Sequence, residues 1–155
     1  MTERQAWLLL FLGSEAGCHP VDQVRAMKGM FLLDQQLFPP DKRLYRFDAY
    51  DYGPFDSTVY RDLDSLKISQ LITVTSILGS NRRIYALSEQ GRRAFDEIAA
   101  TKPEQEIRCV QEIKRRVTSL GFEELLREIY RDYPAYAVNS RARLVGSQTS
   151  LARPD

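Results

Sequence analysis

The sequence of 155 residues has little of what catalytic and metal sites are made from, with one histidine and two cysteines. His19 has no second histidine with which to form a metal cage or a proton relay, and no glycine-rich phosphate loop occurs. Cys18 and Cys109 lie far apart, so neither a disulfide framework nor a zinc site is indicated. We therefore predict a binding protein and not an enzyme, with no catalytic residue, no metal and no cofactor.

An excess of one charge and a long apolar run are also missing. Lys and Arg number 22 against 21 Asp and Glu, so the formal charge of +1 argues neither for nor against nucleic acid. The apolar run at residues 6–12 is too short to span a bilayer, and the residues before it are not a basic leader. We predict a cytoplasmic protein that has no membrane partner.

Apolar residues at helical spacing predict a mainly helical chain. Thr2 and Gln5 form a capping-box pattern, which predicts a first helix over about residues 3–15. Pro20 suits the first position of a second helix, because its fixed φ fits the first turn. Residues 44–50 alternate between apolar and polar, which is typical of a half-buried strand. This strand could be the first of a three-stranded sheet.

The most informative pattern covers residues 56–95, where helix, strand, turn, strand and helix follow one another. Asp56 or Ser57 can cap the first of these helices. The apolar stripe of this helix consists of Val59, Leu63 and Leu66. A strand rich in β-branched residues follows at 71–75, then a turn at 78–83 and a returning strand at 84–87. Ser88 can cap the helix that comes next.

Within this region, residues 60–66, the apolar pair Leu71-Ile72 and residues 83–91 resemble a pattern of bacterial winged-helix regulators of the PadR and MarR kind. There a recognition helix leads through an apolar pair into a β-hairpin that ends in Tyr-x-Leu-Ser/Thr-x-x-Gly. The turn Tyr-Asp-Tyr-Gly-Pro-Phe at residues 50–55 resembles a narrower group, the YwgA-like and Panacea-type bacterial proteins. The two resemblances cover about residues 31–95. They imply a fold that is mainly α with a small antiparallel sheet, a winged helix-turn-helix followed by C-terminal helices.

The C-terminal part carries a second apolar stripe after Pro103. Its members recur every three or four residues, and we predict that they form a homodimer interface: Ile107, Val110, Ile113, Val117 and Leu120. The alternative is that these helices fold back on the first helix and complete one core. The predicted organisation is a winged-helix domain at 1–100, a helical dimerisation segment at 101–138 and a flexible tail at 139–155.

The resemblance implies a DNA-binding transcriptional regulator whose partner is double-stranded DNA. The third helix is expected to read the major groove with Ser57, Thr58, Arg61 and Lys67. The wing is expected to contact the minor groove or the DNA backbone with Arg82 and Arg83.

Two features favour another partner. The second and third helices are separated by residues 39–55, longer than a compact helix-turn-helix allows, and the third helix carries Asp56, Asp62 and Asp64, which phosphates would repel. The alternative is therefore a winged-helix protein-interaction module, antitoxin-like or a complex subunit, that does not bind DNA.

Overall fold

A computed structural model describes residues 1–15 and 20–140 of the chain. The protein is mainly helical, with a three-stranded antiparallel sheet and a separate two-stranded sheet, which confirms the predicted fold class. Cys18, His19 and the predicted flexible tail from residue 141 onward lie outside the described residues.

The described chain forms six helices and five strands. The helices are α1 (Glu3–Gly13), α2 (Gln23–Leu37), α3 (Ser57–Ile68), α4 (Glu89–Ala99), α5 (Glu104–Ser119) and α6 (Phe122–Asp132). The strands are β1 (Val21–Asp22), β2 (Asp48–Tyr50), β3 (Gly53–Phe55), β4 (Ile72–Ser76) and β5 (Arg83–Leu87). Short 3-10 helices lie at Pro40–Lys42 and Pro134–Ala137.

From α1 to β5 the elements follow one another as α1, β1, α2, β2, β3, α3, β4 and β5, with the two strands of the separate sheet lying between α2 and α3. The three-stranded sheet has the order β1-β5-β4, and all of its pairs are antiparallel. The hairpin of β4 and β5, which we call the wing, pairs Ile72 with Leu87 at its base and Ser76 with Arg83 near its tip. The region of residues 56–95 therefore folds as its pattern predicts.

The strand predicted at residues 44–50 is placed differently. Only Asp48–Tyr50 is a strand, and it pairs with β3 in the two-stranded sheet instead of joining the wing sheet. The third strand of the wing sheet is β1, which the sequence analysis assigned to the second helix. The Asp22 side chain accepts a hydrogen bond from the Arg25 N–H at 2.9 Å, so α2 begins at Gln23 and the preceding residues stay extended.

The core surrounds α1, which is buried from Trp7 to Gly13. A helix that is apolar on all sides needs neighbours all around it. Accordingly α1 packs against four other helices, α2, α3, α4 and α5, and against β5. The predicted capping box at its start is confirmed, since Thr2 Oγ1 accepts from the Gln5 N–H and Gln5 Oε1 accepts from the Thr2 N–H, both at 3.1 Å.

The apolar stripe of α5 belongs to this same core. Val110, Ile113 and Val117 are each at most 2% exposed, and Ile107 and Leu120 pack against them as half-buried residues. Since α5 lies against α1 and α2, one chain already covers the stripe. Val110, Ile113 and Val117, predicted to form a dimer interface, are therefore corrected to core residues of a single chain, as the fold-back alternative has it. Ile107 and Leu120 lie half-buried at the edge of this core.

Candidate nucleic-acid interface

Helix α3 is fixed at its start by a cap and along one side by burial. Asp56 Oδ1 accepts a hydrogen bond from the Thr58 N–H at 2.9 Å, and its Oδ2 accepts from the Arg46 N–H at 2.8 Å. The apolar stripe of Val59, Leu63 and Leu66 is buried as predicted. The other side of α3 is left to solvent, and its exposed residues are Ser57, Arg61, Asp64, Ser65, Lys67 and Ile68.

Asp62 belongs to the buried side of α3, with 2% exposure. The Asp62 carboxylate accepts two hydrogen bonds from Arg4, from Nε at 2.9 Å and from Nη2 at 3.1 Å. The Tyr45 hydroxyl donates another to it at 2.7 Å. Burial and the hydrogen bond to Asp62 raise the pKa of Tyr45 well above its ordinary value. This carboxylate therefore stabilises the fold and does not face a ligand.

The interpretation of α3 as acidic on its exposed face is therefore wrong for two of its three aspartates. Asp62 is neutralised in the interior, and the Asp56 carboxylate accepts backbone hydrogen bonds as the helix cap. Only Asp64 lies on the exposed side. The sequence contained a signal for the burial of Asp62. This residue follows Val59 by three positions and precedes Leu66 by four, which is the spacing of residues on one face of a helix.

The wing is docked onto the start of α2. Arg82 Nε donates to Asp22 Oδ2 at 3.0 Å, while about half of the Arg82 side chain remains exposed. Gln23 accepts from the Arg83 N–H at 2.9 Å through Oε1 and donates to the Asn81 carbonyl at 2.6 Å through Nε2. Asp22 and Gln23 thus set the position of the wing arginines. Neither Asp22 nor Gln23 was predicted as a site residue, since their partners lie about 60 positions later in the sequence.

A polar groove of about 600 Å³ separates α3 from the wing. Its lining includes two residues of α3, Tyr60 and Asp64, and the predicted wing residues Arg82 and Arg83. The other predicted contacts, Ser57, Thr58, Arg61 and Lys67, lie on α3 outside this lining. Thr58 is half-buried and the other three are exposed. The predicted residues therefore form two neighbouring groups, one in the groove and one on the open side of α3.

The helix that follows the wing shows why the Ser-x-x-Gly pattern has this spacing. Ser88 Oγ accepts from the Gly91 N–H at 2.9 Å and donates to the Gln70 carbonyl at 2.6 Å. A Cβ atom at Gly91 would lie 1.8 Å from the Leu71 carbonyl oxygen, a distance that no side chain allows. Glycine is thus required where α4 passes the start of β4, and this contact fixes the base of the wing.

Comparisons of the sequence with family models and with curated proteins return no match. Among residues 1–15 and 20–140, no three histidine, cysteine, aspartate or glutamate side chains come together as a metal site. None of the helices in the described part of the chain is both long and apolar enough to cross a membrane.

Proposed function

We propose that the protein is a DNA-binding regulator that reads duplex DNA with α3 and the wing. The observation that carries the proposal is the exposed face of α3 beside a groove that holds Arg82 and Arg83, with Asp56 and Asp62 engaged inside the fold. Removing two carboxylates from the exposed face takes away most of the repulsion that phosphates would meet there. We propose a cytoplasmic location along with this function.

The exposed residues of α3 suit the major groove. Ser57 and Thr58 occupy the first turn, the part of a recognition helix that reaches base edges, and Arg61 follows one turn later. The Arg61 guanidinium lies 3.5 Å from Ser57 Oγ, so it shares their side of the helix. An arginine at this place can donate two hydrogen bonds to a guanine. Lys67, near the other end of α3, suits a backbone phosphate.

The two wing arginines are not equivalent. Arg82 is paired with Asp22, so a phosphate has to compete with a carboxylate at 3.0 Å. Among residues 1–15 and 20–140 no carboxylate pairs with Arg83, and its side chain is exposed beside Tyr85. Arg83 is therefore the stronger phosphate contact in this proposal, and Arg82 chiefly holds the wing against α2.

The test is fluorescence polarisation with a labelled duplex from the region upstream of the protein's own gene, against a scrambled duplex of equal length. The affinity should fall steeply as salt rises from roughly 50 to 200 mM, because bound phosphates release counterions. Arg61→Ala should reduce the preference for the upstream duplex, whereas Arg108→Ala, an exposed arginine of α5, should change nothing. Equal binding of both duplexes, or no effect of Arg61→Ala, would reject the assignment.

A second candidate is the interaction module that binds another protein. Exposed apolar residues on α3 and on the wing favour it, since Ile68 is 81% exposed and Leu78, at the tip of the wing, is fully exposed. In that case no duplex should bind even at low salt, and a stable complex with another protein should co-purify. Leu78→Ser should then weaken that complex.

A further inference from the structure

Lys28 is a buried lysine that pairs with no carboxylate in the described part of the chain. The residue is 5% exposed, and its ammonium donates to the Pro54 carbonyl at 3.0 Å. Burial alone lowers its pKa, to about 8, and no carboxylate of the described chain compensates. An unpaired ammonium is costly to bury, and a lysine in such a place loses its proton readily.

The Lys28 side chain borders an apolar cavity of about 220 Å³. Aromatic rings supply much of its lining, from Tyr50, Tyr52, Phe55, Tyr60 and Phe122. A cavity of about 150 Å³ holds a benzene molecule, so this space accommodates one ring with a small substituent. Tyr50, Tyr52 and Phe122 are each at least a third exposed, which leaves the cavity reachable from solvent.

Lys114 provides the comparison within the same chain. It is 9% exposed, and burial, together with the charge of Arg92, lowers its pKa to about 8 as well. Its ammonium, however, donates to the carbonyls of Leu12 and Ser14 and so caps the end of α1. Lys114 thus has a structural role and does not line the aromatic cavity, whereas Lys28 does.

We propose that Lys28 captures a small apolar aldehyde from the aromatic cavity as an imine. The lone pair of the neutral Nζ attacks the carbonyl carbon, and a proton moves from nitrogen to oxygen to give a carbinolamine. The hydroxyl then leaves as water with the remaining proton of the nitrogen, and the nitrogen lone pair forms the carbon–nitrogen double bond, with no oxidation or reduction. The aromatic rings hold the apolar part of the aldehyde beside the amine.

The occupied cavity would contact the helix proposed to read DNA, because Tyr60 belongs to α3. In addition, Phe55 ends β3 immediately before the Asp56 cap of that helix. The capture itself does not rest on DNA binding and is measured without DNA.

The experiment traps the imine by reduction and locates it by peptide mass spectrometry. The full chain is incubated with limiting benzaldehyde and cyanoborohydride near pH 7.5, and modification is followed at each of the five lysines. At this pH the neutral fraction of the Lys28 amine exceeds that of the exposed Lys42 and Lys67 by on the order of a hundredfold. Because burial slows the access of the aldehyde, Lys28 should react at least about tenfold faster than those two lysines. Lys114 should be the slowest, since its nitrogen is occupied by two carbonyls.

Two controls separate capture from general reactivity. Lys28→Met, a neutral residue of similar length, should remove the fast modification while the melting temperature stays the same or rises. Glyoxylate, a small charged aldehyde, should show no preference for Lys28, because its carboxylate is disfavoured among apolar rings. The proposal is overturned if Lys28 reacts no faster than Lys42 and Lys67, or if glyoxylate reaches Lys28 as well as benzaldehyde does.

Discussion

The apolar residues of α5 and those of the wing show two opposite uses of hydrophobic side chains. In α5 the stripe of Val110, Ile113 and Val117 is buried against α1 and α2, so it contributes to folding. At the wing tip, Leu78 is fully exposed and Ile77 is partly exposed, so they contribute little to the core. The difference teaches that a regular apolar stripe on a helix indicates burial within the chain, whereas apolar residues of a turn can remain exposed.

The largest effect should come from placing a charge in the stripe of α5. Ile113→Glu buries a carboxylate that has no partner, which should cost about 3–5 kcal/mol of the free energy of unfolding and leave little folded protein. Urea denaturation and circular dichroism measure the loss. Glu112→Ala, at the exposed neighbouring position, should change stability by less than about 0.5 kcal/mol. A folded, stable Ile113→Glu protein would mean that the stripe is not part of the core.

The two aspartates of α3 allow the same comparison within one helix. Asp62→Ala removes the carboxylate that Arg4 and Tyr45 share, which leaves the buried Tyr45 hydroxyl without its acceptor. The free energy of unfolding should therefore fall by about 2–4 kcal/mol. Asp64→Ala should leave stability nearly unchanged and strengthen duplex binding, because it removes a negative charge from the groove. Equal stability losses in the two variants would contradict the inward placement of Asp62.

The two buried lysines predict how stability depends on pH. Their pKa values are about 8 in the folded chain and near 10.4 when unfolded, so the unfolded chain binds more protons between these values. The free energy of unfolding should therefore rise from pH 8 to pH 10, and each of the two lysines should contribute about 1 kcal/mol per pH unit to this rise. Above pH 10 it should fall, since burial raises the pKa of Tyr45 and Tyr60 and favours their ionisation in the unfolded chain.

Urea denaturation at several pH values between 7.5 and 9.5 measures this slope. Lys28→Met should remove about half of it, because Lys114 continues to titrate. A slope that is flat in the wild type, or unchanged by Lys28→Met, would show that the two ammonium groups are better solvated than their burial indicates.

The smallest effect should come from the wing arginines. Arg83→Ala should weaken duplex binding about tenfold or less and lower the slope of log affinity against log salt by about one. Arg82→Ala should have a smaller effect on the slope, since Asp22 already neutralises part of its charge. If Arg82→Ala lowers the slope as much as Arg83→Ala does, the pair with Asp22 does not persist in the complex.

Local patterns made much of the fold predictable. The cap at Asp56, the stripe of α3, the wing strands and the cap at Ser88 all depend on neighbours within a few residues, and each lies where the sequence analysis expects it. The boundary of α2 was not found, because β1 is two residues long and is held by pairing with β5, more than sixty positions later.

The candidate site was predictable only in part, for the same reason. Arg82 and Arg83 were found from their place in a turn, but the side chains that position them come from the start of α2. Asp62 was read as exposed because its partner Arg4 lies 58 residues earlier. Lys28 gave no local signal at all, since its aromatic surroundings are assembled from β2, β3, α3 and α6.

The central position of α1 has a consequence for synthesis on the ribosome. Trp7 to Leu12 are made about one hundred residues before α5, against which they pack. At roughly 5–20 residues per second, this apolar segment waits about 5–20 s for its partner. During that time it is exposed to aggregation and to chaperones, so slow translation should lower the yield of folded protein more than it lowers total synthesis. The order in which these parts are made thus leaves α1 vulnerable until α5 has been made.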